Sequence, residues 1–344
     1  MAKYFGKITI FFCLFVFLFV SCKKSQEKRE IQGLGARLQK SRLLYWAYIY
    51  GATLPSFTKT YLEKVNAAYD FFSITGLRLT KSGVVRGKDK FFRGLQAKGI
   101  ELKKVFPLLT PDSILHANGL LKSRTAQERV ISSLLQLVEK YDLPGLQVDF
   151  EGLPISLAPA FEQFLQDLKL ALNQKGKRLS MAMFPQIEFP ESLAALHTFR
   201  SYREAVDEVV LMAYDYSQKK EGPVTSVAWS EENIQFLLHH LSPGQIYLGI
   251  PLYGYAYPRR KKGKIRVVSQ KYAEKLRQKN VLHRHDSGCM LLETTTSTIY
   301  YPDAILLRRL LGLAHKYSLQ GIAFWRLGFE ARYLYPELRK ERVY

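Results

Sequence analysis

The feature of this sequence that most restricts its fold is a regular alternation of strand-like and helix-like segments along most of its 344 residues. Amphipathic stretches lie between most of the apolar runs; in the stretch 128–141, Val130, Leu134 and Val138 recur at helical spacing. Eight strand–helix repeats are typical of a (β/α)8 barrel, an α/β fold of about 250 residues. The eight candidate strands are residues 43–50, 71–76, 104–110, 146–151, 179–184, 208–214, 246–252 and 321–325.

The competing architecture is an open, doubly wound sheet, which would carry a glycine-rich nucleotide-binding turn after its first strand. Residues 51–55, Gly-Ala-Thr-Leu-Pro, do not form such a turn, and the sequence therefore favours the closed TIM barrel. The interval 258–320, between the seventh and eighth strands, is longer than one helix requires. It holds two strand-like runs, 289–294 and 297–301, that predict a hairpin, and we expect a small insertion over the top of the barrel.

The N-terminus has the composition of a targeting signal. Lys3 and Lys7 precede an apolar run at 8–20, which is shorter than the roughly 20 residues that span a membrane but suits a signal peptide. The run is followed by Ser-Cys, and this junction resembles a bacterial lipoprotein signal in which Cys22 is acylated. An ordinary secretory signal or an uncleaved anchor is the alternative.

These features divide the chain into three predicted parts. We expect a lipoprotein signal peptide at 1–21, a polar tether at 22–40 that begins at the lipidated Cys22, and one folded domain at 41–344. The protein is then exported and anchored to a bacterial membrane through an N-terminal lipid. Cys289 is the one cysteine left in the folded domain, so the fold has no internal disulfide.

The charge of the chain favours anionic partners. Lysine and arginine number 51 against 30 aspartates and glutamates, a formal charge of +21. Such a surface suits nucleic acid, lipid headgroups or an acidic polymer such as peptidoglycan. Zinc-finger spacing, helix-turn-helix patterns and RNA-binding aromatic motifs are missing from the sequence, so we do not expect nucleic acid as the partner.

The fourth candidate strand, 146–151, concentrates polar side chains on one face. Gln147, Asp149 and Glu151 alternate with apolar residues, so the two carboxylates lie about 6–7 Å apart at Cα. At that separation one ionised group raises the pKa of the other, which keeps a proton available for acid catalysis. A half-exposed strand with a solvated acidic face is the alternative interpretation.

Other strand ends add aromatic and polar groups at the same rim. In a barrel of this kind, functional residues gather at the C-terminal ends of the strands. Met212, Tyr214 and Asp215 close the sixth strand, Tyr253 follows the seventh, and Trp325 closes the eighth. Aromatic rings that stack on sugar faces, beside carboxylates that act on the glycosidic oxygen, predict a carbohydrate cleft.

Four of these strand ends resemble glycoside hydrolase family 18, the chitinase-type barrels. Its Asp-Gly-x-Asp-x-Asp-x-Glu signature aligns with Pro-Gly-Leu-Gln-Val-Asp-Phe-Glu at 144–151, and Leu-Met-Ala-Tyr-Asp at 211–215 resembles its sixth strand. The segments 249–255 and 321–328, with Gly-Pro-Val at 222–224, look most like the bacterial branch that includes spore-cortex peptidoglycan hydrolases. The resemblance runs from the second strand to Glu330. It departs from the signature at its first two acidic positions, which are Pro144 and Gln147 here.

The resemblance implies a substrate-assisted, retaining mechanism. Glu151 is then the general acid and base, Asp149 orients the 2-acetamido group of the sugar, and Tyr214 hydrogen-bonds that group. Trp325 forms the floor of the sugar site, although each aromatic residue can also be read as barrel filler. The remaining substrate-binding candidates are Asp215, Met212, Gln147 and Tyr253.

The function implied is hydrolysis of β-1,4 linkages at N-acetylglucosamine in peptidoglycan or chitin-like glycans, by a monomer without a cofactor. His283 and His285 stand two apart without a third ligand, so no metal site is predicted. The alternative is a non-catalytic, lectin-like lipoprotein on the same barrel, since fold does not fix function. Lectin-like relatives typically lose the acid at the Glu151 position, and its presence here beside Asp149 favours the enzyme.

Overall fold

The structure is a computed structural model that describes residues 42–343, except 81–84, 87–88, 218–219 and 260–262. The predicted signal peptide, the tether and Cys22 lie outside the described residues, and those predictions stay untested. In the part of the chain that is described, no helix combines the length and the apolar character needed to cross a bilayer.

Eight parallel strands in the described residues close into a barrel, which confirms the predicted (β/α)8 architecture. Strand β1 (Leu44–Ile49) pairs in parallel with β14 (Gly321–Trp325) on one side and with β2 (Phe71–Leu79) on the other, so the ring has no free edge. A two-residue strand, β3 (Val85–Arg86), adds an antiparallel extension to β2. The barrel strands are β1 (Leu44–Ile49), β2 (Phe71–Leu79), β4 (Val105–Pro111), β5 (Gly145–Val148), β6 (Arg178–Met183), β7 (Glu208–Leu211), β8 (Ile246–Pro251) and β14 (Gly321–Trp325).

Helices surround the barrel and bury one apolar face each. In α4, Ser123 caps the first turn by accepting a hydrogen bond from the Ala126 backbone N–H, and Val130, Leu134 and Val138 are buried at helical spacing. The α-helices are α1 (Lys59–Ala68), α2 (Asp89–Ala97), α3 (Ile114–Leu121), α4 (Arg124–Lys140), α5 (Ala158–Asn173), α6 (Glu191–Ala194), α7 (Tyr202–Ala205), α8 (Val227–Leu238), α9 (Gln270–Arg277), α10 (Ala304–Lys316) and α11 (Leu334–Val343). Short 3-10 turns cover Gly51–Ser56, Leu102–Lys104, Ile155–Leu157, Ala195–His197 and Pro243–Gln245.

The inside of the barrel is packed with aromatic and aliphatic side chains around a chain of hydrogen bonds. Trp46 Nε1 donates to Ser73 Oγ at 2.9 Å, and Ser73 Oγ donates to Gln147 Oε1 at 2.7 Å. Gln147 Nε2 donates in turn to Ser180 Oγ at 3.0 Å. The interior is therefore a filled core and not a pore. Its apolar members are Trp46, Tyr48, Phe106, Leu108, Val210, Tyr247 and Ala323.

A charged pair lies at the N-terminal end of the barrel strands. Glu208 begins β7 and is buried, and its Oε2 accepts a hydrogen bond from Arg178 Nη1 at 3.0 Å. Burial outweighs the attraction of Arg178 and raises the pKa of Glu208 to about 7. This end of the barrel therefore holds a carboxyl group that changes charge near neutrality.

An antiparallel five-stranded sheet is inserted between β8 and β14. The predicted hairpin is confirmed: β12 and β13 pair from Met290 with Tyr301 to Glu293 with Thr298. The insertion is shifted relative to the predicted bounds, because its first strand begins at Tyr253 and α10 already belongs to the helical ring. Its strands are β9 (Tyr253–Pro258), β10 (Arg266–Ser269), β11 (Val281–Arg284), β12 (Met290–Glu293) and β13 (Ser297–Tyr301), in the order β10-β9-β13-β12-β11.

An ion pair ties this inserted sheet to the ring of helices. Asp303 caps α10 by accepting hydrogen bonds from the backbone N–H groups of Ile305 and Leu306. The same carboxylate accepts two hydrogen bonds of 2.7 Å from the guanidinium of Arg284 on β11. A fork-to-fork pair of this kind fixes orientation as well as distance. The insertion is thus held in place above β8, the strand it follows.

Candidate active site

Asp149 and Glu151 lie directly after β5, at the C-terminal end of the barrel. The hydrogen-bonded part of the strand ends at Val148, three residues before the end of the predicted strand at Glu151. The backbone stays attached to the barrel because the N–H of Asp149 donates to the carbonyl of Leu109 on β4, at 3.1 Å. Phe150 is fully buried in the core, whereas Glu151 is exposed. The predicted alternation of apolar and acidic positions is therefore present.

The two carboxyl groups share an electrostatic environment. Burial raises the pKa of Asp149 well above its usual value, and the charge of Glu151 and a side-chain hydrogen bond with it raise this pKa further. The pKa of Glu151 is also raised, first by loss of hydration and then by the charge of Asp215, while the hydrogen bond with Asp149 opposes the rise. One proton shared between Asp149 and Glu151 follows from these shifts.

Tyr214 is buried and interacts electrostatically with both acidic residues. Burial raises the pKa of its hydroxyl well above the usual value, and the neighbouring groups Tyr48, Asp149, Asp215 and Glu151 add to the rise. The phenol therefore stays protonated and can donate a hydrogen bond.

A glycine on the neighbouring strand β8 makes room for the Tyr214 ring. A Cβ added at Gly249 would lie 3.1 Å from Tyr214 Cε1 and 2.4 Å from the carbonyl oxygen of Leu211. A distance of 2.4 Å is too short for any side-chain atom. Strand β8 can therefore pack against β7 and Tyr214 only because residue 249 is a glycine, which has no Cβ.

Asp215 is held in an uncommon backbone conformation next to the acidic pair. Its φ of 63° places it in the left-handed region, which only a few per cent of non-glycine residues adopt. The hydroxyls of Tyr253 and Tyr255, both from β9 of the insertion, donate hydrogen bonds to its Oδ1. The insertion therefore fixes the carboxylate that raises the pKa of Glu151.

Tyr253 therefore does more than fill the barrel, because its hydroxyl makes a polar contact with Asp215. The sequence analysis did not name Tyr255, although the alternation of tyrosines at 253, 255 and 257 is a visible signal for one tyrosine-lined face of a strand.

Trp325 ends β14, and its half-buried ring packs against Tyr48 with ring centroids 5.2 Å apart. Tyr48, on β1, is a site residue that the sequence analysis missed. Its buried hydroxyl makes no hydrogen bond of regular geometry with any described residue, although the Gln147 amide lies close enough to oppose part of the rise in its pKa. Asp149 Oδ1 is likewise buried and is reached by no donor from the described part of the chain. Two buried polar atoms of the site are thus without a hydrogen-bond partner among the described residues.

Gln147 and Met212 are both buried. Gln147 is fully buried below Asp149, and both ends of its amide are occupied by Ser73 and Ser180. Met212 is buried after β7, and its backbone N–H donates to the carbonyl of Met183 at 2.8 Å. The structure therefore shows hydrogen bonds for both residues within the barrel, and their role in substrate binding stays a prediction.

A buried histidine, also missed by the sequence analysis, supports the backbone between the two acids. His197 Nδ1 accepts a hydrogen bond from the Phe184 N–H at 3.0 Å, so the neutral ring carries its proton on Nε2 and donates it to the Phe150 carbonyl, also at 3.0 Å. Burial lowers the pKa of His197 to about 4. A single histidine outside any motif gives no signal in the sequence for such a contact.

The sequence model of the glycosyl hydrolases family 18 matches residues 117–330, and the chain belongs to this family. Among curated proteins, the chain is 25% identical over 224 residues to a cortical fragment-lytic enzyme of Bacillus subtilis, a match that covers 61% of this chain and 52% of that protein. It is 22% identical over 237 residues to an uncharacterized glycosylase, YvbX, of the same organism, covering 65% and 69%. The chain spans about half the length of the cortical fragment-lytic enzymes it matches.

Solved structures share the fold at low sequence identity. The spore cortex-lytic enzyme SleL of Bacillus cereus superposes with a TM-score of 0.77 at 19% identity, over 88% of this chain and 75% of that chain. A chitinase from Chromobacterium violaceum gives a TM-score of 0.74 at 18% identity, over 87% and 98%. These likenesses support the barrel architecture.

Proposed function

We propose that this chain is a retaining glycoside hydrolase that cleaves β-1,4 linkages at N-acetylglucosamine in peptidoglycan or chitin-like glycans. The observation that carries the proposal is the proton-sharing pair of Asp149 and Glu151 beside the buried phenol of Tyr214. A carboxyl group exposed in the cleft with a raised pKa can act as a general acid near neutral pH. Membership of the family supports the assignment of the reaction class.

In the first step, Glu151 donates its proton to the glycosidic oxygen while the carbonyl oxygen of the substrate's own 2-acetamido group attacks the anomeric carbon. The glycosidic bond breaks, and a positively charged oxazolinium ring forms on the sugar. Asp149 accepts a hydrogen bond from the acetamido N–H and stabilises this charge, and Tyr214 donates a hydrogen bond to the acetamido oxygen. In the second step, the Glu151 carboxylate removes a proton from water, which opens the ring with net retention.

Gln147 occupies the position of a signature aspartate, and this limits where the proton shared by Asp149 and Glu151 can move. Gln147 carries no titrating group, and Ser73 and Ser180 occupy its amide. A proton on Asp149 therefore moves only towards Glu151 and not deeper into the barrel. The ionisation of this pair then sets the pH range of the reaction.

The substrate and location rest on further, separate observations. A formal charge of +21 suits a polymer that carries carboxylates, such as peptidoglycan, better than neutral chitin. Relatives in sequence from Bacillus subtilis and Bacillus anthracis are named cortical fragment-lytic enzymes. Together with the predicted lipoprotein signal, we propose a monomeric, exported enzyme anchored by a lipid at Cys22, which works without a metal or cofactor.

The decisive experiment compares wild type with Glu151→Gln, which removes the proton but keeps the side-chain volume. Wild type should release reducing ends from purified peptidoglycan or from N-acetylglucosamine oligomers, and the variant should lose about 100- to 10,000-fold of that rate. Glu63→Gln is a matched control, because Glu63 is an exposed glutamate on α1. Mass spectrometry of the products defines the cleaved linkage.

Equal and negligible release by wild type and Glu151→Gln, with retained binding of the glycan, would support the lectin-like alternative. Equal and substantial release would refute the role of Glu151.

A further inference from the structure

A cavity of about 410 Å³ lies between the loop that follows β14 and the turn that follows β1. Its volume falls in the range of ligand pockets in proteins. The two loops are joined because the backbone N–H of Leu327 donates to the carbonyl of Tyr48 at 2.9 Å. Tyr48 also supports the ring of Trp325, so the cavity and the proposed sugar site share one scaffold.

The guanidinium of Arg326 forms one wall of this cavity and is held by its faces. Its centre lies 4.1 Å from the ring centroid of Phe329 and 5.1 Å from that of Tyr50. Contacts of this kind occupy the faces of a guanidinium and leave its N–H edges available. Arg326 forms no ion pair with any residue of the described ranges, and its buried Nη1 has no hydrogen-bond partner there. Loss of hydration accordingly lowers the pKa of Arg326.

The charges around the cavity leave a net positive site. Lys271, an exposed residue at the start of α9, is a second cation in the wall, and it too makes no ion pair within the described residues. The one carboxylate in the wall, Glu330, is occupied by neutral donors. It accepts hydrogen bonds from the Tyr61 hydroxyl at 2.6 Å and from the Gly328 N–H at 2.7 Å. An anion that enters the cavity therefore meets two unpaired cations.

Building on the hydrolase function proposed above, we infer that this cavity binds a carboxylate carried by the glycan, with Arg326 as the main contact and Lys271 as the second. A half-desolvated cation without a partner is unfavourable unless a ligand supplies the missing charge. Planar carboxylates match the N–H edges of a guanidinium in a two-point contact. In peptidoglycan such a group is either the lactyl carboxylate of a muramyl sugar or a carboxylate of its peptide, whereas chitin has neither. Arg326 therefore selects acidic glycans over neutral ones.

One residue in the wall of this cavity also lines a larger groove. A groove of about 670 Å³ on the inserted sheet shares Phe329 with it, and the exposed ring of Tyr272 stands at its side.

Binding measurements on the Glu151→Gln protein test the inference without turnover. Three probes are compared by calorimetry: an N-acetylglucosamine tetramer, a tetrasaccharide of alternating N-acetylglucosamine and N-acetylmuramic acid with free lactyl groups, and the same tetrasaccharide with its peptides. Arg326→Gln should weaken binding of an acidic probe by about tenfold or more, as expected for a hydrogen bond to a charged group, and change binding of the neutral tetramer less than about twofold. Unchanged binding of the neutral probe also shows that the variant is folded.

The control Arg129→Gln makes the same change in net charge at an exposed position on α4. It should leave the affinity for all three probes unchanged. Arg326-dependent binding of the tetrasaccharide with free lactyl groups assigns the lactyl carboxylate, and dependence only with peptides assigns the peptide carboxylate. An equal loss for neutral and acidic probes, no loss for any, or no binding of any probe overturns the inference.

The outcomes for this cavity and for the hydrolase are separable. Arg326-dependent binding of acidic probes by a wild-type protein that cleaves none of them keeps the cavity and rejects the hydrolase. Cleavage by wild type without any effect of Arg326→Gln on acidic glycans keeps the hydrolase and rejects the cavity.

Discussion

Replacing His197 by asparagine should remove a large pH dependence from the stability of this barrel. The pKa of this histidine is about 4 in the fold against 6.5 for the ordinary side chain, because the buried ring cannot be charged without losing hydration. Between these values the unfolded chain binds a proton that the folded chain does not, so the wild type loses stability as the pH falls from about 6.5 to about 4. The interval corresponds to about 3 kcal/mol, since each tenfold change in the protonation equilibrium is worth about 1.4 kcal/mol.

Urea denaturation at pH 4 to 8 measures this effect as the difference in free energy of unfolding between wild type and His197→Asn. The difference should be largest above pH 6.5 and should shrink by about 3 kcal/mol towards pH 4. His197→Asn should also lower kcat, because the Phe150 carbonyl between Asp149 and Glu151 loses its donor. A difference that does not change with pH would refute the assignment of a neutral, buried His197.

Glu208→Gln provides a control of opposite sign at the other end of the barrel. The pKa of Glu208 is raised to about 7 from 4.5, so here the folded chain binds the extra proton, and the wild type loses stability as the pH rises from about 4.5 to about 7. The stability of Glu208→Gln relative to wild type should therefore increase by about 3 kcal/mol over that interval, with kcat retained. Loss of kcat equal to that of His197→Asn would show that both substitutions act through global destabilisation.

Two further substitutions test the neighbours of the acidic pair. Asp215→Asn removes the charge that raises the pKa of Glu151, and asparagine tolerates a φ of 63°. The alkaline limb of the pH profile of kcat/KM should therefore move to lower pH. An unchanged limb would contradict the electrostatic coupling between Asp215 and Glu151. Gly249→Ala places a methyl group 2.4 Å from the Leu211 carbonyl oxygen and should reduce the free energy of unfolding by about 1–3 kcal/mol, measured by urea denaturation. Gly312→Ala, at a position with no atom within 4 Å of the added Cβ, is its control and should not destabilise the fold.

The barrel and its acidic pair could be predicted from the sequence because both depend on local periodicity. Each predicted strand has a counterpart in the structure, and the alternation around Asp149 survives even though ladder pairing ends at Val148. The contacts of His197 could not be predicted in this way, because its partners, Phe150 and Phe184, lie 47 and 13 residues away along the chain. Only the closed ring of strands and helices brings these groups together.

The contacts made by the insertion could not be predicted from the sequence either. Tyr255 on β9 donates to Asp215, which lies 40 residues earlier in the chain, so this contact depends on the position of the inserted sheet. Arg326 has no motif of its own, and its environment is set by Tyr50 and Phe329 on separate loops. Residue type and spacing predict which side chains share one face of a strand. Whether a charged side chain on one loop has a partner on another loop can be seen only in the structure.

The structure also explains how the barrel accommodates an amide where the family signature has a carboxylate. Gln147 receives a hydrogen bond from Ser73 at one end and gives one to Ser180 at the other, so neither end is left unpaired in the core. A second buried carboxylate directly below Asp149 would add a like charge to a group whose pKa is already raised by Glu151. With the amide in place, the ionisation of the site reduces to the pair of Asp149 and Glu151. Two tyrosines of the insertion hold the Asp215 carboxylate in place. Within the pair, the charge of Asp215 raises the pKa of Glu151.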